Sequence, residues 1–264
     1  MAIIDTSGLE PFADLLKEIY GDVAKPGVVQ VGIALATVIG LLNTCLSPIK
    51  FLNEKTELNR QNNLKLLAKR FAEIPPENII EAPPEIAVPI AEKLGYVSNE
   101  ELRNLYIELL AKASTKDLNS KAHPSFVNII NNLSPDEAKL IEYLNKNQRL
   151  PIVDITVSDS QYMKYYIEQL VCLTPELTLD FPQNLKAYFS NLEASGLIQI
   201  EKGKWVYEDK EYDVYLDYLK SNIPRYDSEY SYIKKELDPD NAYSVEKGSI
   251  SVTDLGIMFF SAVL

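Results

Sequence analysis

Residues 98–147 read SNEELRNLYIELLAKASTKDLNSKAHPSFVNIINNLSPDEAKLIEYLNKN, and the spacing within them decides the fold. Leu102, Leu105, Tyr106, Leu109 and Leu110 recur every three or four residues, which puts them on one face of a helix over ELRNLYIELLAKAS. Ser98, with Glu101 three residues on, reads as a capping box: serine at the N-cap and glutamate at N3. Ser134-Pro135-Asp136-Glu137 repeats that logic with proline at the first helical position and opens EAKLIEYLNKN. FVNIINNL, reached through the loop STKDLNSKAHPSF, predicts a helix between them. Three helices with two start signals predict a compact helical domain over 74–147.

Upstream of that domain, IPPENIIEAPPEIAVPIAEKLGY carries Pro76 and Pro84, each expected to open a helix, and Pro89, expected to kink the second. Residues 51–73 predict a polar helix with Leu58, Leu64, Leu67 and Phe71 along a narrow seam. Its Lys65, Lys69 and Arg70 are expected to form a solvated face. Before it, no charged residue occurs from Pro26 to Ile49, and Lys25 and Lys50 bracket the run. A helix over 27–47 is long enough to cross a bilayer. It is equally suited to the centre of a large core or an oligomer, and Gln30, Asn43 and Thr44 soften its apolar character. Gly32, Ala36 and Gly40 put one small residue per turn on a single stripe, which allows close approach of a second helix in either setting. Residues 7–20 predict a short amphipathic helix, so residues 1–73 form an N-terminal helical region.

Downstream, residues 150–264 have a different texture. Leu185, Tyr188, Phe189 and Leu192 share a helix face, and Gly196 stands where a helix stop belongs. LIQIE and WVYE, separated by Lys202-Gly203-Lys204, predict a hairpin, and Ser249–Val252 a third strand. Thr253-Asp254 then opens a final apolar helix, LGIMFFSAVL. Helix, hairpin, strand and helix in this order resemble a winged-helix module. The fold class expected is therefore mainly α: an N-terminal helical domain with a long apolar helix, followed by a winged-helix-like α/β domain. That second domain carries an acidic, Tyr-rich insertion over 208–247. Tyr212, Tyr215, Tyr226 and Tyr230 within it suit a partner surface, because tyrosine supplies contact area at small entropic cost. The competing expectation is that they lie half-buried against their own domain.

Charge narrows the function. The net charge is −12, with 19 acidic and 16 basic residues in 1–150 (−3) and 19 acidic and 10 basic in 151–264 (−9). A surface that neutralises phosphates needs the reverse excess, so nucleic acid is not an expected partner. Cys45 and Cys172 match no CxxC or metal spacing and are expected as unpaired thiols, His123 is the lone histidine, and no phosphate-cradling glycine loop occurs. No cofactor, metal site or catalytic residue is expected. The N-terminus, with Asp5 and Glu10 and no early Lys or Arg, lacks the charged start of a signal peptide, which points to the cytoplasm.

The order IPPENIIEAPPEIAVPIAEKLGY, ELRNLYIELLAKAS, HPSFVNIINNLSPDEAKLI resembles the Abi-alpha (abortive infection alpha) family of bacterial phage-defence proteins. The likeness lies in paired prolines, a Tyr-ended helix, an LR…LLA helix, a His-Pro-Ser-Phe start and a Leu-Ser-Pro-x-x-Ala turn, and it is carried best by residues 25–147. The motif positions are His123, Pro124, Ser125, Phe126, Ser134 and Pro135. The resemblance implies a non-enzymatic role in abortive infection, in which an infected cell stops growing or dies before phage matures. The expected partners are further copies of the chain, a phage or host protein, and, if 27–47 inserts, the bacterial inner membrane. A winged-helix DNA-binding or regulatory protein is the alternative. His123 itself fits either a pH- or ligand-responsive group or a cap at the start of its helix.

Overall fold

The computed structural model describes Gly32, 54–158, 163–171, 173, 177–204, 212–215, 217 and 243–264. The helices expected over 7–20 and 27–47, the WVYE strand, Ala36, Gly40, Tyr226 and Tyr230 lie outside the described residues; Gly32 is helical. What is described is mostly helical with one small antiparallel four-stranded sheet. Among the described residues no helix is long and apolar enough to cross a membrane.

The chain divides into two compact units, the first holding the described residues up to Lys139 together with Met258–Leu264, the second Leu140–Ile257. Helix α1 (Glu54–Ala72) buries the expected seam of Leu64, Leu67 and Phe71, while Leu58, one of the four residues assigned to it, is 59% exposed. Helix α2 (Pro84–Leu94) starts on its proline and runs on through Pro89. Pro76 opens a single 3-10 turn (Pro76–Asn78) rather than a helix, since Ile79 is already extended and pairs with Thr115. Helix α3 (Glu100–Ala113) is capped one residue later than its sequence suggests: Asn99 Oδ1 accepts from Leu102 N–H at 3.0 Å. Asparagine is as good a cap as serine, and its place directly before Glu100 decides between them. Helices α4 (Ser125–Asn131) and α5 (Pro135–Lys146) follow.

Two polar contacts fix these helices. The buried Asn63 amide donates to Leu94 O (2.9 Å) and Val97 O (2.8 Å), so α1 closes the C-terminal end of α2 and satisfies carbonyls the helix itself cannot. Tyr106 OH donates to Asn131 Oδ1 at 2.7 Å and ties α3 to α4. The centre of the unit is apolar, with Ile86, Ile90, Leu109, Leu110 and Phe126 fully buried together with Phe259 and Phe260 from the last residues of the chain. Phe126 and Phe259 meet edge to face, 5.1 Å apart at 84°, the arrangement aromatic quadrupoles favour.

The second unit contains strands that its sequence hides. β1 (Arg149–Ser158) and β2 (Met163–Leu170) precede α6 (Leu185–Ala194), β3 (Ile198–Lys202) and β4 (Tyr243–Val252); α7 (Asp254–Val263) follows. The sheet order is β2-β1-β4-β3, antiparallel throughout. β1 is a central strand with Ile152 through Thr156 all buried, so polar and apolar residues do not alternate and the period-2 signal is absent. The expected third strand at Ser249–Val252 starts six residues earlier, at Tyr243, and takes the end of the assigned insertion into the sheet. β3 pairs with it, Ile198 to Val252 through Lys202 to Gly248.

A glycine, a threonine and another glycine make the turn that sets α7. Gly196 (φ +74°) ends α6, with Leu197 N–H on Leu192 O and Gly196 N–H on Glu193 O, the paired bonds of a Schellman stop. Thr253 Oγ1 donates to Gly196 O at 2.6 Å and accepts from Gly256 N–H at 2.9 Å, capping α7. A Cβ on Gly256 would stand 2.1 Å from Leu197 O, so no other residue fits without moving backbone. Gly256→Ala is accordingly expected to lower stability by about 2–3 kcal/mol, read as a fall in urea midpoint with the slope unchanged.

Candidate functional site

The motif residues at 123–137 open two helices. His123 and Pro124 are exposed, Ser125 is half-buried and Phe126 is fully buried. His123 Nδ1 accepts from Ser125 N–H at 3.2 Å and lies 2.7 Å from Ser125 Oγ, while its carbonyl accepts from Phe126 N–H. The imidazole therefore satisfies a donor at the start of α4 that the helix leaves unpaired. Pro124 precedes the first helical residue rather than being it. At the next helix the reciprocal capping box is complete: Ser134 N–H donates to Glu137 Oε2 (2.6 Å) and Glu137 N–H to Ser134 Oγ (3.3 Å). Asp136, 2% exposed, faces Lys139 at 3.6 Å. Of the six motif positions, Phe126 packs the core and the others shape the two helix starts.

The basic residues of α1 divide. Lys65 and Lys69 are exposed, as expected of a solvated face. Arg70 instead forks onto Glu108, Nη2 to Oε2 at 3.1 Å and Nε to Oε1 at 2.5 Å, with Glu73 at 3.4 Å. The Glu108 carboxylate holds the guanidinium pKa above its ordinary value. This bidentate pair joins α1 to α3.

Tyr212 and Tyr215, expected at a partner surface, are each 1% exposed and belong to the core of the second unit. The reason is hydrogen bonding as much as packing. Tyr212 OH donates to Gly248 O at 2.9 Å and Tyr215 OH to Pro151 O, so the two rings, 6.3 Å apart, lie against β1 and β4. Lys247 Nζ stands 5.2 Å over the Tyr212 ring. The Tyr215 hydroxyl thus supplies the Pro151 carbonyl with a donor from outside the strand ladder. Position 214, between the two, is a 51% exposed valine.

The polar cluster that sequence reasoning missed lies in the same sheet. Asp154, 2% exposed, accepts from Gln169 N–H at Oδ1 (2.7 Å). Lys202 Nζ lies 2.9 Å from its Oδ2, close enough for an ion pair though not angled as a hydrogen bond. Gln169 has φ +53°, a left-handed conformation rare outside glycine, and its Oε1 is buried without a partner. The one signal for this cluster in sequence is a lone carboxylate inside the apolar run PIVDITV. Among the described residues no group of three or more His, Cys, Asp or Glu is placed to hold a metal ion.

A family model described as abortive infection alpha matches residues 56–263, most of the chain. The match begins after the charge-free run and continues through the second unit, so the likeness reaches well past residue 147 and does not include 25–55. No curated protein and no solved structure matches the chain.

The motif residues separate in stability by where their atoms lie. Phe126→Ala is expected to cost about 4 kcal/mol by emptying the contact with Phe259. His123→Ala removes one exposed cap and is expected to cost no more than about 1 kcal/mol. Urea unfolding of the two variants side by side checks the ratio.

Proposed function

The chain belongs to the abortive infection alpha family, and on that premise we propose that it acts in phage defence as a non-enzymatic protein that works by assembly and contact. The observation that carries this is the family match itself, which spans both units rather than one motif. The structure adds a supporting detail. The motif residues are spent on helix starts and core packing, as in a protein whose product is a shape.

Two modes of action fit. In one, copies assemble as a scaffold that binds a phage or host protein in the cytoplasm, and the 27–47 run lies inside the assembly. In the other, assembly aligns that run in the inner membrane and permeabilises it. The Gly32, Ala36, Gly40 stripe would serve the close approach of helices in both. Tyr226 and Tyr230 remain candidates for partner contact.

A second reading, a winged-helix regulator, is favoured by one observation. α6 leads into β3, which pairs with β4, and β4 lies between β3 and β1, so a helix is followed by a two-stranded wing on a small sheet. The −9 charge of 151–264 opposes DNA contact. A gel shift at low and moderate salt distinguishes them: a salt-sensitive, sequence-selective complex would replace the scaffold reading.

Expression in a phage-sensitive bacterium should reduce plaque formation and arrest infected cells; unaltered infection across a broad phage panel would count against the defence role. Fractionation then separates the modes. A defined soluble oligomer supports the scaffold. Chain released from the membrane pellet only by detergent, with Ala36→Leu or Gly40→Leu abolishing depolarisation, supports the membrane effector.

A further inference from the structure

Three departures from ordinary strand geometry meet at the end of β2. The pairing Ile155 to Ile167 is followed by Val153 to Leu170, so two residues of β2, 168 and 169, stand opposite Asp154 alone. Gln169, in that bulge, is the one non-glycine residue with a positive φ among the described residues. Its side-chain oxygen is buried without a donor. Strained backbone persists only where its surroundings hold it, and here the restraint is visible: the Asp154 carboxylate grips the Gln169 N–H at 2.7 Å.

That carboxylate is in turn held from the far side of the sheet. Lys202 on β3 pairs with Gly248 on β4, which pairs with Ile152 on β1, two residues from Asp154 and on the same face. With glycine at 248 no side chain stands between the lysine and β1. A Cβ there would lie 2.6 Å from Glu201 O and 3.1 Å from Ile152 Cγ1. Lys202 thus crosses a whole strand to reach a carboxylate that is 2% exposed, while its own side chain stays 39% exposed. One end of the pair is in the core and the other is open to solvent.

We propose that the Asp154–Lys202 pair is a latch that holds the end of β2 in one of two registers. With the ammonium in place, the buried carboxylate keeps its charge compensated and its grip on Gln169. With the ammonium withdrawn into solvent, the buried carboxylate loses its countercharge and draws in water, which competes with the Gln169 N–H for Oδ1. Gln169 then relaxes to an extended conformation and the bulge is lost. Continuing the Ile155–Ile167 register without it sets Val153 against Gln169. A one-residue slip turns each following side chain to the opposite face. Val171, now 9% exposed, would exchange its environment with half-buried Leu170. The device thereby converts the position of an exposed lysine into a change of the surface after β2.

Amide hydrogen exchange on the full-length protein tests this with Lys202→Met, which keeps the lysine's length and removes its charge. Exchange at Gln169 is expected to speed by tenfold or more, with α2 and α3 unchanged. Lys202→Arg should retain protection. Combining Lys202→Met with Gln169→Gly should return exchange at position 169 toward the wild-type rate, because glycine takes φ +53° without strain. Unchanged exchange in Lys202→Met, a uniform loss across all four strands, or no rescue by glycine would each overturn the latch.

Discussion

The hydroxyl of Thr253 sits where three pieces of backbone converge: the stop of α6 at Gly196, the first residue before β3 at Leu197, and the first turn of α7 at Gly256. The contact tolerates no side chain at 256, because the Leu197 carbonyl occupies the space a Cβ would need. The start of α7 inherits its position from it. α7 can begin only where its N–H groups find the threonine oxygen. A few atoms of glycine and threonine therefore fix where this helix starts.

How far the sequence disclosed this depended on whether a residue's role was local. Helix starts at Pro84, Ser134 and Thr253 were legible because their signal, a proline at the first helical position or a capping hydroxyl, is written in three or four neighbouring residues. Asn99 displaced Ser98 because both side chains can cap and the register of the helix decides. β1 was illegible for the opposite reason: a strand buried on both faces has no alternation, and Pro151 argues against a strand at all. Tyr212 and Tyr215 look in sequence like other tyrosines of an acidic stretch. Their burial follows from carbonyls at positions 248 and 151, which no local pattern reveals. Asn63 is a case of the same kind, its two acceptors lying 31 and 34 residues away.

The candidate site follows the same division. His123, Ser125 and Ser134 were found from motif and spacing, and the structure gives each a local bond. Asp154, Gln169 and Lys202 come from three different strands and share nothing in sequence. Such clusters are where local rules and global fold disagree, and a strained, partly unsatisfied group is the trace of that disagreement. The family match covers both kinds of residue, since it runs from 56 to 263. The charge-free run at 26–49 precedes it, so whatever that run contributes is added to the matched architecture from outside.

The first unit draws its closing residues, Met258–Leu264, from the opposite side of the intervening second unit in sequence. On the ribosome this has an order. α1 to α4 emerge early, with Phe126 exposed and its edge-to-face partner Phe259 still 133 residues from synthesis. At translation speeds of about 5–20 residues per second, that partner arrives roughly 7–27 seconds later. The helical unit cannot finish before the sheet-bearing unit has been made. During that interval Phe126 lacks the ring it meets edge to face in the finished fold.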